Sequence, residues 1–464
     1  MALQYPASKT TVYLDQPPSC LQFCPASPNN FVLGTYLLSE TKTQPKTLDI
    51  DDPDQEPSET IQQSKTGSLQ LWNLDPASNA LTQLSRTALP HAVFDLHFHP
   101  RNPTLLGIAT SAASVSLFSV SDETGLTHLL TYPVHEDPSI PALFLAWTPE
   151  NWLPGSRDGF AVTFSDGRTG VFGLNSAATR GGRDGDGDGD GAITELGSFD
   201  AKPPVEVWFV ALASFPHSQH GSPEPKKQIY TPYLFTGNDF GSLHTRRFAD
   251  ITIPEDETPD HDHDHDRDDV VPLPSPVLSA DDKARHHTAG VTAILPLPIP
   301  LIQEQQHPAM NAGDPLLLTG SYDEVLRVYH AVRGGRVIGE RGLGGGVWRL
   351  QLLHTIPPPT ATTAEGEGEA GKWTFLVLAT CMHGGTRVVR VVVTAAAGAG
   401  GEPRAEIEVL AEFTEHESMN YASDVWRPGS ASGVDEGVGK EGSELRVVSS
   451  SFYDKRLCVW TLKV

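Results

Sequence analysis

Two short segments carry residues that could take part in chemistry. Residues 319–330 read TGSYDEVLRVYH and residues 450–460 read SSFYDKRLCVW. In each, a Tyr-Asp pair separates two runs of β-branched and apolar residues, a pattern typical of a tight turn between two strands. The aspartates, Asp323 and Asp454, can fix the turn or orient a nearby histidine. The tyrosine beside each is available for recognition.

A histidine replaces the turn aspartate in another segment, ATCMHGG at residues 379–385. We align Asp166, Asp323 and Asp454 at one repeat position, where Phe240 and His383 stand in two other units. In folds built from repeated units of strands, the aspartate of this turn typically orients a histidine from the loop before the same unit. His287 fits as the partner of Asp323. His383 breaks that pattern, which makes it a better candidate for a site.

A second histidine, His416, precedes the last unit in HESMNYASDVW. A neutral imidazole can act as a general base when it lies near the reacting group. We therefore take His383 and His416 as catalytic candidates. The alternative for each is a surface or packing histidine.

The units that must position these turns repeat seven times. Each has an apolar strand with Trp or Phe, a variable insertion, and two further strands joined by a tight turn. This predicts an all-β fold, a seven-bladed WD40-type β-propeller with long disordered insertions. We expect one domain over residues 1–464, with blades at roughly 17–75, 91–120, 141–174, 204–248, 287–330, 345–393 and 418–462.

The last unit ends shortly after Trp460 and lacks an outer strand of its own. Residues 10–15, TTVYLD, precede the first unit and have the pattern of a strand. We expect them to supply the missing strand of the last blade, which closes the ring and removes an exposed sheet edge.

The overall charge limits the partners. The sequence has 33 basic and 58 acidic residues, a net charge of −25. This argues against nucleic acid and anionic membranes, whose phosphates attract basic surfaces. We expect a cytoplasmic protein, because we find no signal peptide or long apolar segment. We also expect a monomer. Four unevenly spaced cysteines, Cys20, Cys24, Cys381 and Cys458, indicate a reducing compartment.

Two tracts resemble metal sites. DGDGDGDGAITE at residues 184–195 has the aspartates of a calcium loop, but it lacks the apolar residue and the flanking helices of an EF-hand. The HDHDHDRDD run holds His261, His263 and His265 in a tract without fixed geometry. We predict solvated acidic loops and no metal.

The sequence also has no Gly-x-Ser-x-Gly elbow, phosphate-binding glycine loop or HExxH motif.

A set of motifs in the last three units resembles one family. In chain order they are HTAGV at 287–291, TGSYDE at 319–324, GGVWRL at 345–350, ATCMHGG at 379–385, HESMNYASDVW at 416–426 and SFYDKRLCVW at 451–460. Together they resemble the WD-repeat diphthine methyl ester hydrolases of diphthamide biosynthesis, also called diphthine methyltransferases. The resemblance covers about 180 residues, and the first 250 or so fit only as generic propeller units. Tyr329 departs from the pattern, since a repeat Trp is usual there.

The resemblance implies a reaction. Family members hydrolyse a methyl ester on a modified histidine of translation elongation factor 2, giving diphthine and methanol without a cofactor. The ester lies beside a trimethylammonium group, which aromatic faces or carboxylates can bind. On this ground we expect the following substrate-binding residues: Tyr322, Asp323, Trp348, Trp426, Tyr453 and Asp454.

A competing hypothesis is a non-catalytic WD-repeat scaffold for a multiprotein complex. The fold alone favours it, because one fold serves many functions and most WD-repeat proteins bind other proteins. The family motifs favour the esterase, and a scaffold has no need of a histidine at position 383.

Overall fold

A computed structural model describes residues 2–43, 60–175, 192–218, 228–253, 272–282, 287–302, 314–331, 334–358, 371–394, 403–428 and 442–464. In these ranges the chain forms seven β-sheets around a central channel. The predicted all-β, seven-bladed propeller is therefore confirmed. The tracts at 184–190 and 261–266 lie outside the described residues.

Blades one to three occupy the first half of the chain. Blade one contains β2 (Pro18–Cys24), β3 (Ser27–Thr35), β5 (Thr60–Leu74) and β6 (Leu81–Leu89), and β4 (Leu37–Thr43) also pairs with β5. Blade two contains β7 (Val93–Phe98), β8 (Leu105–Thr110), β9 (Ser114–Ser121) and β10 (Gly125–Pro133). Blade three contains β11 (Ala142–Trp147), β12 (Asp158–Phe164), β13 (Arg168–Leu174) and β14 (Ile193–Asp200), with a 3-10 turn at Pro154–Ser156.

Blades four and five follow. Blade four contains β15 (Val207–Ser218), β16 (Gln228–Asn238), β17 (Leu243–Arg247) and β19 (Leu278–Asp282). Two short strands extend it: β18 (Ile251–Ile253) pairs with β16, and β21 (Leu301–Ile302) pairs with β15. Blade five contains β20 (Val291–Pro296), β22 (Leu316–Ser321), β23 (Val325–His330) and β24 (Arg336–Gly342).

Blades six and seven complete the ring. Blade six contains β25 (Arg349–Ile356), β26 (Lys372–Thr380), β27 (Thr386–Thr394) and β28 (Arg404–Phe413). Blade seven contains β29 (Asn420–Trp426), β30 (Glu444–Ser451), β31 (Arg456–Lys463) and, as its outer strand, β1 (Ser8–Tyr13).

The N-terminal strand joins the two ends of the chain. β1 pairs antiparallel with β31, from Ser8 opposite Trp460 to Tyr13 opposite Arg456. Gln4, just before β1, also contacts blade six, since its N–H donates to Leu410 O at 3.0 Å. The hydrogen bonds of the outer edge of β31 are thereby satisfied within the chain.

The core lies between neighbouring blades. The middle strands read as near-continuous apolar runs because both faces of each sheet are covered; every residue of β8 and β22 is buried. Aromatic stacks connect one blade to the next, as where Phe413 and Trp460 lie with ring centroids 5.0 Å apart. Each such buried side chain contributes about 1.5–3 kcal/mol to stability.

Histidines inside the blades tie the turns to the strands. In blade five, His287 Nδ1 lies 3.0 Å from an Asp323 carboxylate oxygen, and Nε2 lies 2.9 Å from Thr319 Oγ1. His287 is thus the partner of Asp323, as expected from the sequence. In blade three, His135 and Asp166 form the corresponding pair at 3.1 Å.

Neither a membrane-spanning helix nor a metal-binding cluster is found among the described residues. None of the helices among the described residues has the length and hydrophobicity to span a bilayer. Within the same ranges, no group of three or more His, Cys, Asp or Glu side chains is arranged to hold a metal ion.

Candidate functional site

Two repeat positions meet at one end of the central channel. One lies within one residue of the start of a blade's innermost strand, and the other is the first residue of the turn that follows its second strand. The turn residue is tied to the loop before the innermost strand, since Tyr36 N–H donates to Pro17 O at 2.9 Å, Tyr322 N–H to Gly290 O at 3.1 Å and Phe452 N–H to Met419 O at 2.9 Å. Side chains at both positions therefore lie on the same face.

Aromatic residues occupy these positions in most blades. We call the following seven residues the mouth cluster: Phe94, Tyr36, Phe452, Tyr421, Trp348, Trp208 and Tyr322. Ring centroids of neighbours in this chain lie between 5.1 and 6.3 Å apart, and all seven side chains are partly exposed. Apolar surface that stays half exposed on one face marks a binding site. The faces of such rings also attract cations.

Three members of the mouth cluster form a compact group. Trp208 lies 6.2 Å from Tyr322 and 5.8 Å from Trp348, and Tyr322 lies 6.3 Å from Trp348. The indole N–H of Trp208 donates to Asp239 Oδ1 at 2.7 Å, which holds a carboxylate beside the rings. Burial, together with the negative charge of Asp239, raises the pKa of Tyr322, so its phenol keeps its proton.

A glycine lets the Tyr322 ring approach the backbone closely. A Cβ atom at Gly290 would lie 2.9 Å from Tyr322 Cδ2 and 3.0 Å from Asp239 Cα. A larger residue at position 290 would push the Tyr322 ring away from Asp239, so the sequence fixes the ring next to the carboxylate.

The channel continues inward from the mouth cluster as a cavity of about 170 Å³. It is lined by the innermost strands of blades one, two, six and seven, and Arg349 enters it directly after Trp348. The Arg349 guanidinium carbon lies 4.7 Å from the centre of the Trp348 ring and 4.8 Å from that of Phe144. Burial lowers the pKa of Arg349, but a guanidinium titrates so high that it stays charged.

Acidic and amide side chains in the channel link neighbouring blades. Asp95 Oδ2 accepts from the N–H of Leu145 at 3.2 Å, and Asp424 Oδ2 accepts from that of Phe23 at 2.8 Å. Gln351 Nε2 donates to Asp424 Oδ1 at 2.6 Å. These bonds give the carboxylates a structural role that holds the ring of blades together.

Asp95 also lies near a histidine. Its Oδ2 is 3.0 Å from His97 Nε2, and the His97 ring packs against Phe144 with centroids 5.2 Å apart. His97 lines the same cavity as Arg349. The channel thus contains an imidazole beside a carboxylate, an arrangement that can orient a general base.

His383 stands at the rim of the mouth. Its turn has the same hydrogen bond as that of blade five: Gly384 N–H donates to Cys381 O at 2.6 Å, as Glu324 N–H does to Ser321 O at 3.2 Å. His383 therefore occupies the position that Asp323 has in blade five. Its side chain is 55% exposed, and its Nε2 lies 3.3 Å from Glu324 Oε1 of that neighbouring blade.

His416 lies elsewhere. Its residue is only 8% exposed, and its Nε2 is 2.8 Å from Ser449 Oγ, to which Trp460 Nε1 also donates at 3.0 Å. This is the place that His287 has in blade five. Burial is the main cause that lowers the pKa of His416 to about 4. The structure thus puts His416 inside blade seven, away from the channel mouth.

The predicted aspartates also serve the turns. Arg327 Nη1 donates to Asp323 Oδ2 at 2.8 Å, in addition to the contact with His287. Burial raises the pKa of Asp323, but the hydrogen bond and the charge of His287 outweigh it, so this pKa lies well below its ordinary value. Asp454 accepts from Ser418 Oγ at 2.5 Å. Both carboxylates are occupied by their own blades.

The other two predicted residues, Trp426 and Tyr453, lie in different places. Trp426 is at the far end of β29, five residues from Tyr421 of the mouth cluster and so about 17 Å away along the strand. Its Nε1 donates to Asn29 Oδ1 at 2.9 Å, and the Arg446 guanidinium lies 5.1 Å from its ring centre. Tyr453, 70% exposed, packs edge-on against Phe452 and extends the mouth cluster outward.

Sequence reasoning missed several members of this site: Trp208, Tyr421, Phe94, Tyr36, Phe452 and Arg349. A signal for some of them was present. When the units are aligned on their first strand, VEVWFVAL, AVFDLHF, GGVWRLQ and NYASDVW all place an aromatic residue at its start.

Comparison with known proteins supports the fold and gives one hint about function. The solved structure of Sqt1 from Chaetomium thermophilum matches 99% of this chain and 100% of that chain, with a TM-score of 0.50 at 12% identity. A chain of the mitotic checkpoint complex matches with a TM-score of 0.49 at 11% identity over 99% of this chain and 92% of that one. The first likeness agrees with the propeller and shows the fold alone.

No protein-family model matches the chain. A Schizosaccharomyces pombe protein named diphthine methyltransferase is 29% identical to it over 147 residues. The match spans 32% of this chain and 33% of that protein, so about a third of the relative's length is covered.

Proposed function

We propose that this protein acts in diphthamide biosynthesis by hydrolysing the methyl ester of diphthine methyl ester on translation elongation factor 2. The observation that carries the proposal is the group of Trp208, Tyr322 and Trp348 beside Asp239 at the channel mouth. Aromatic faces with a nearby carboxylate suit a trimethylammonium group. The sequence similarity to the S. pombe protein supports the same pathway.

In this proposal the reaction takes place where the ester, next to the bound ammonium group, reaches the rim. His383, oriented by Glu324, accepts a proton from a water molecule, and the water oxygen forms a bond with the carbonyl carbon. The bond from that carbon to the methoxy oxygen then breaks. The departing oxygen takes the proton and leaves as methanol, and the carboxylic acid that remains releases its own proton to water to give the carboxylate of diphthine.

The channel offers a second base for the same step. His97 lies beside Asp95 in the cavity that also holds Arg349. Activation by His97 requires the ester to enter the channel, whereas activation by His383 requires it to stay at the rim. Separate variants of the two histidines distinguish these arrangements.

The alternative is a non-catalytic scaffold, and the same mouth cluster would also suit that function. Aromatic residues are enriched where proteins bind one another. A scaffold would need the aromatic surface but no imidazole at position 383.

A cell-based experiment separates the two functions. Cells that lack this protein are expected to accumulate elongation factor 2 with the methyl ester, measured by mass spectrometry of the modified peptide. Wild-type protein should restore the demethylated form. A folded His383→Ala/His97→Ala double variant should fail to do so if the protein is the enzyme and succeed if it is a scaffold.

A further inference from the structure

Aromatic rings and an arginine side chain are adjacent in this channel. Trp348 belongs to the mouth cluster, and the next residue, Arg349, points into the cavity below it. Two consecutive residues at the start of β25 thus present an aromatic face and a positive charge to the same space.

The charge of Arg349 is only partly compensated. Its Nη1 donates to its neighbour's backbone oxygen, Trp348 O, at 2.9 Å. Its Nη2 is 3.6 Å from Asp95 Oδ1, which exceeds an ordinary hydrogen-bond length. Asp95 also serves Leu145 and His97. A guanidinium in this state can pair with a carboxylate brought by a ligand.

The same guanidinium disfavours a simple cation at the mouth. It lies 4.7 Å from the centre of the Trp348 ring, so a cation bound to that ring would meet a like charge. A ligand that also carries a carboxylate removes this repulsion, because its negative group pairs with Arg349 while its positive group contacts the rings.

We propose that the channel mouth is a binding site for small betaines, compounds that carry a quaternary ammonium and a carboxylate on the same carbon atom. The ammonium contacts Trp208, Tyr322 and Trp348, and the carboxylate pairs with Arg349. The inference deepens the proposed function and rests on it for the identity of the natural substrate. It assigns the carboxylate of the product to Arg349.

The test is to titrate the full chain with three small probes and to monitor their binding through the NMR signals of the indole N–H groups. Glycine betaine has both charges, tetramethylammonium has only the cation, and 3,3-dimethylbutanoate has the same shape as betaine with a carbon in place of the nitrogen. Betaine should bind about tenfold more tightly than either control, the scale of one charge-assisted contact. Equal binding of the three probes, or no saturable binding of betaine, would overturn the inference.

Variants extend the test. Arg349→Gln should remove the preference for betaine over tetramethylammonium, and Arg349→Lys should retain part of it because the charge remains. The matched control is Arg446→Gln. Arg446 lies over Trp426 as Arg349 lies over Trp348, 5.1 Å from the ring centre, but Trp426 is at the end of β29 that is far from the mouth. A preference unchanged in folded Arg349→Gln contradicts the inference. If that variant unfolds, the comparison of probes on the wild-type chain still decides it.

The outcomes separate this inference from the proposed function. Hydrolysis of methylated elongation factor 2 without any preference for betaine would remove the betaine site and leave the proposed function. A preference for betaine without hydrolysis would keep the site and remove the esterase.

Discussion

His383 Nε2 lies 3.3 Å from Glu324 Oε1, and the two residues belong to adjacent blades. The contact joins the turn of blade six to that of blade five at the rim of the channel. A carboxylate in this position can orient an imidazole that acts as a general base. The histidine is also exposed enough to meet a protein substrate.

We expect His383→Gln to lower turnover on methylated elongation factor 2 by about 10²-fold, the usual scale of general-base assistance. The melting temperature should stay close to wild type, since the side chain is 55% exposed. Glu324→Gln should have a smaller effect in the same direction. The control is His128→Gln, an exposed histidine on an outer strand, whose turnover should match wild type. Wild-type turnover in the His383 variant, with loss in His97→Gln, would move the base into the channel.

Trp348→Ala should raise KM more than it lowers kcat. A desolvated contact between a cation and an aromatic face is worth about 2 kcal/mol, which corresponds to a change of about 30-fold. Trp426→Ala is a matched control because Trp426 lies at the end of β29 that is far from the mouth. The KM of this variant should equal that of the wild type. Equal effects of the two variants would argue against a cation site at the mouth.

Stability should fall as the pH drops from about 6.5 towards 4. The pKa of His416 is about 4 in the folded chain because of burial, against an ordinary value of 6.5. In that window the unfolded chain binds the proton more readily, so acid favours unfolding, by about 3 kcal/mol for a shift of this size. His330, also buried with its pKa lowered to about 4, acts in the same direction.

The measurement is the free energy of unfolding in denaturant at several pH values. His416→Gln should lower stability at pH 7 and flatten the dependence between pH 6.5 and 4. An unaltered slope in that variant would show that His416 does not contribute to acid sensitivity.

Removal of residues 1–16 should lower the melting temperature by roughly 10 °C or more. The deletion removes several kcal/mol of packing and strand pairing, and each kcal/mol lowers the melting temperature by about 2–4 °C. The deletion takes away β1, which pairs with β31, and exposes that edge. Transplanting residues 1–16 to follow Val464 through a short linker should restore the melting temperature, since β1 runs antiparallel to β31. A deletion variant as stable as the full chain would contradict a structural role for this strand.

The fold could be predicted from the sequence because each blade repeats the same local pattern. Runs such as LLLTGS before the turn and VLRVYH after it specify strands, and the pairing of His287 with Asp323 follows from their repeat positions. Tyr322 and Trp348 could also be placed at the mouth, since they stand next to a turn and a strand start.

Other parts of the site depend on distances that no local pattern reveals. His416 and Trp426 have the same residue types as site residues, but burial in a blade and position at the far end of β29 exclude them from the mouth. Arg349 reads in the sequence as an ordinary strand residue. Only the closed ring brings it to Asp95, which is more than 250 positions earlier in the chain.

The most direct test of the proposed function is incubation of the purified protein with elongation factor 2 that carries the methyl ester, followed by mass spectrometry of the modified peptide and assay of methanol. The account predicts that the peptide loses the mass of one methylene group and that one methanol appears per peptide, with wild-type protein and with Trp426→Ala. An unchanged peptide mass after prolonged incubation with folded wild-type protein would contradict it.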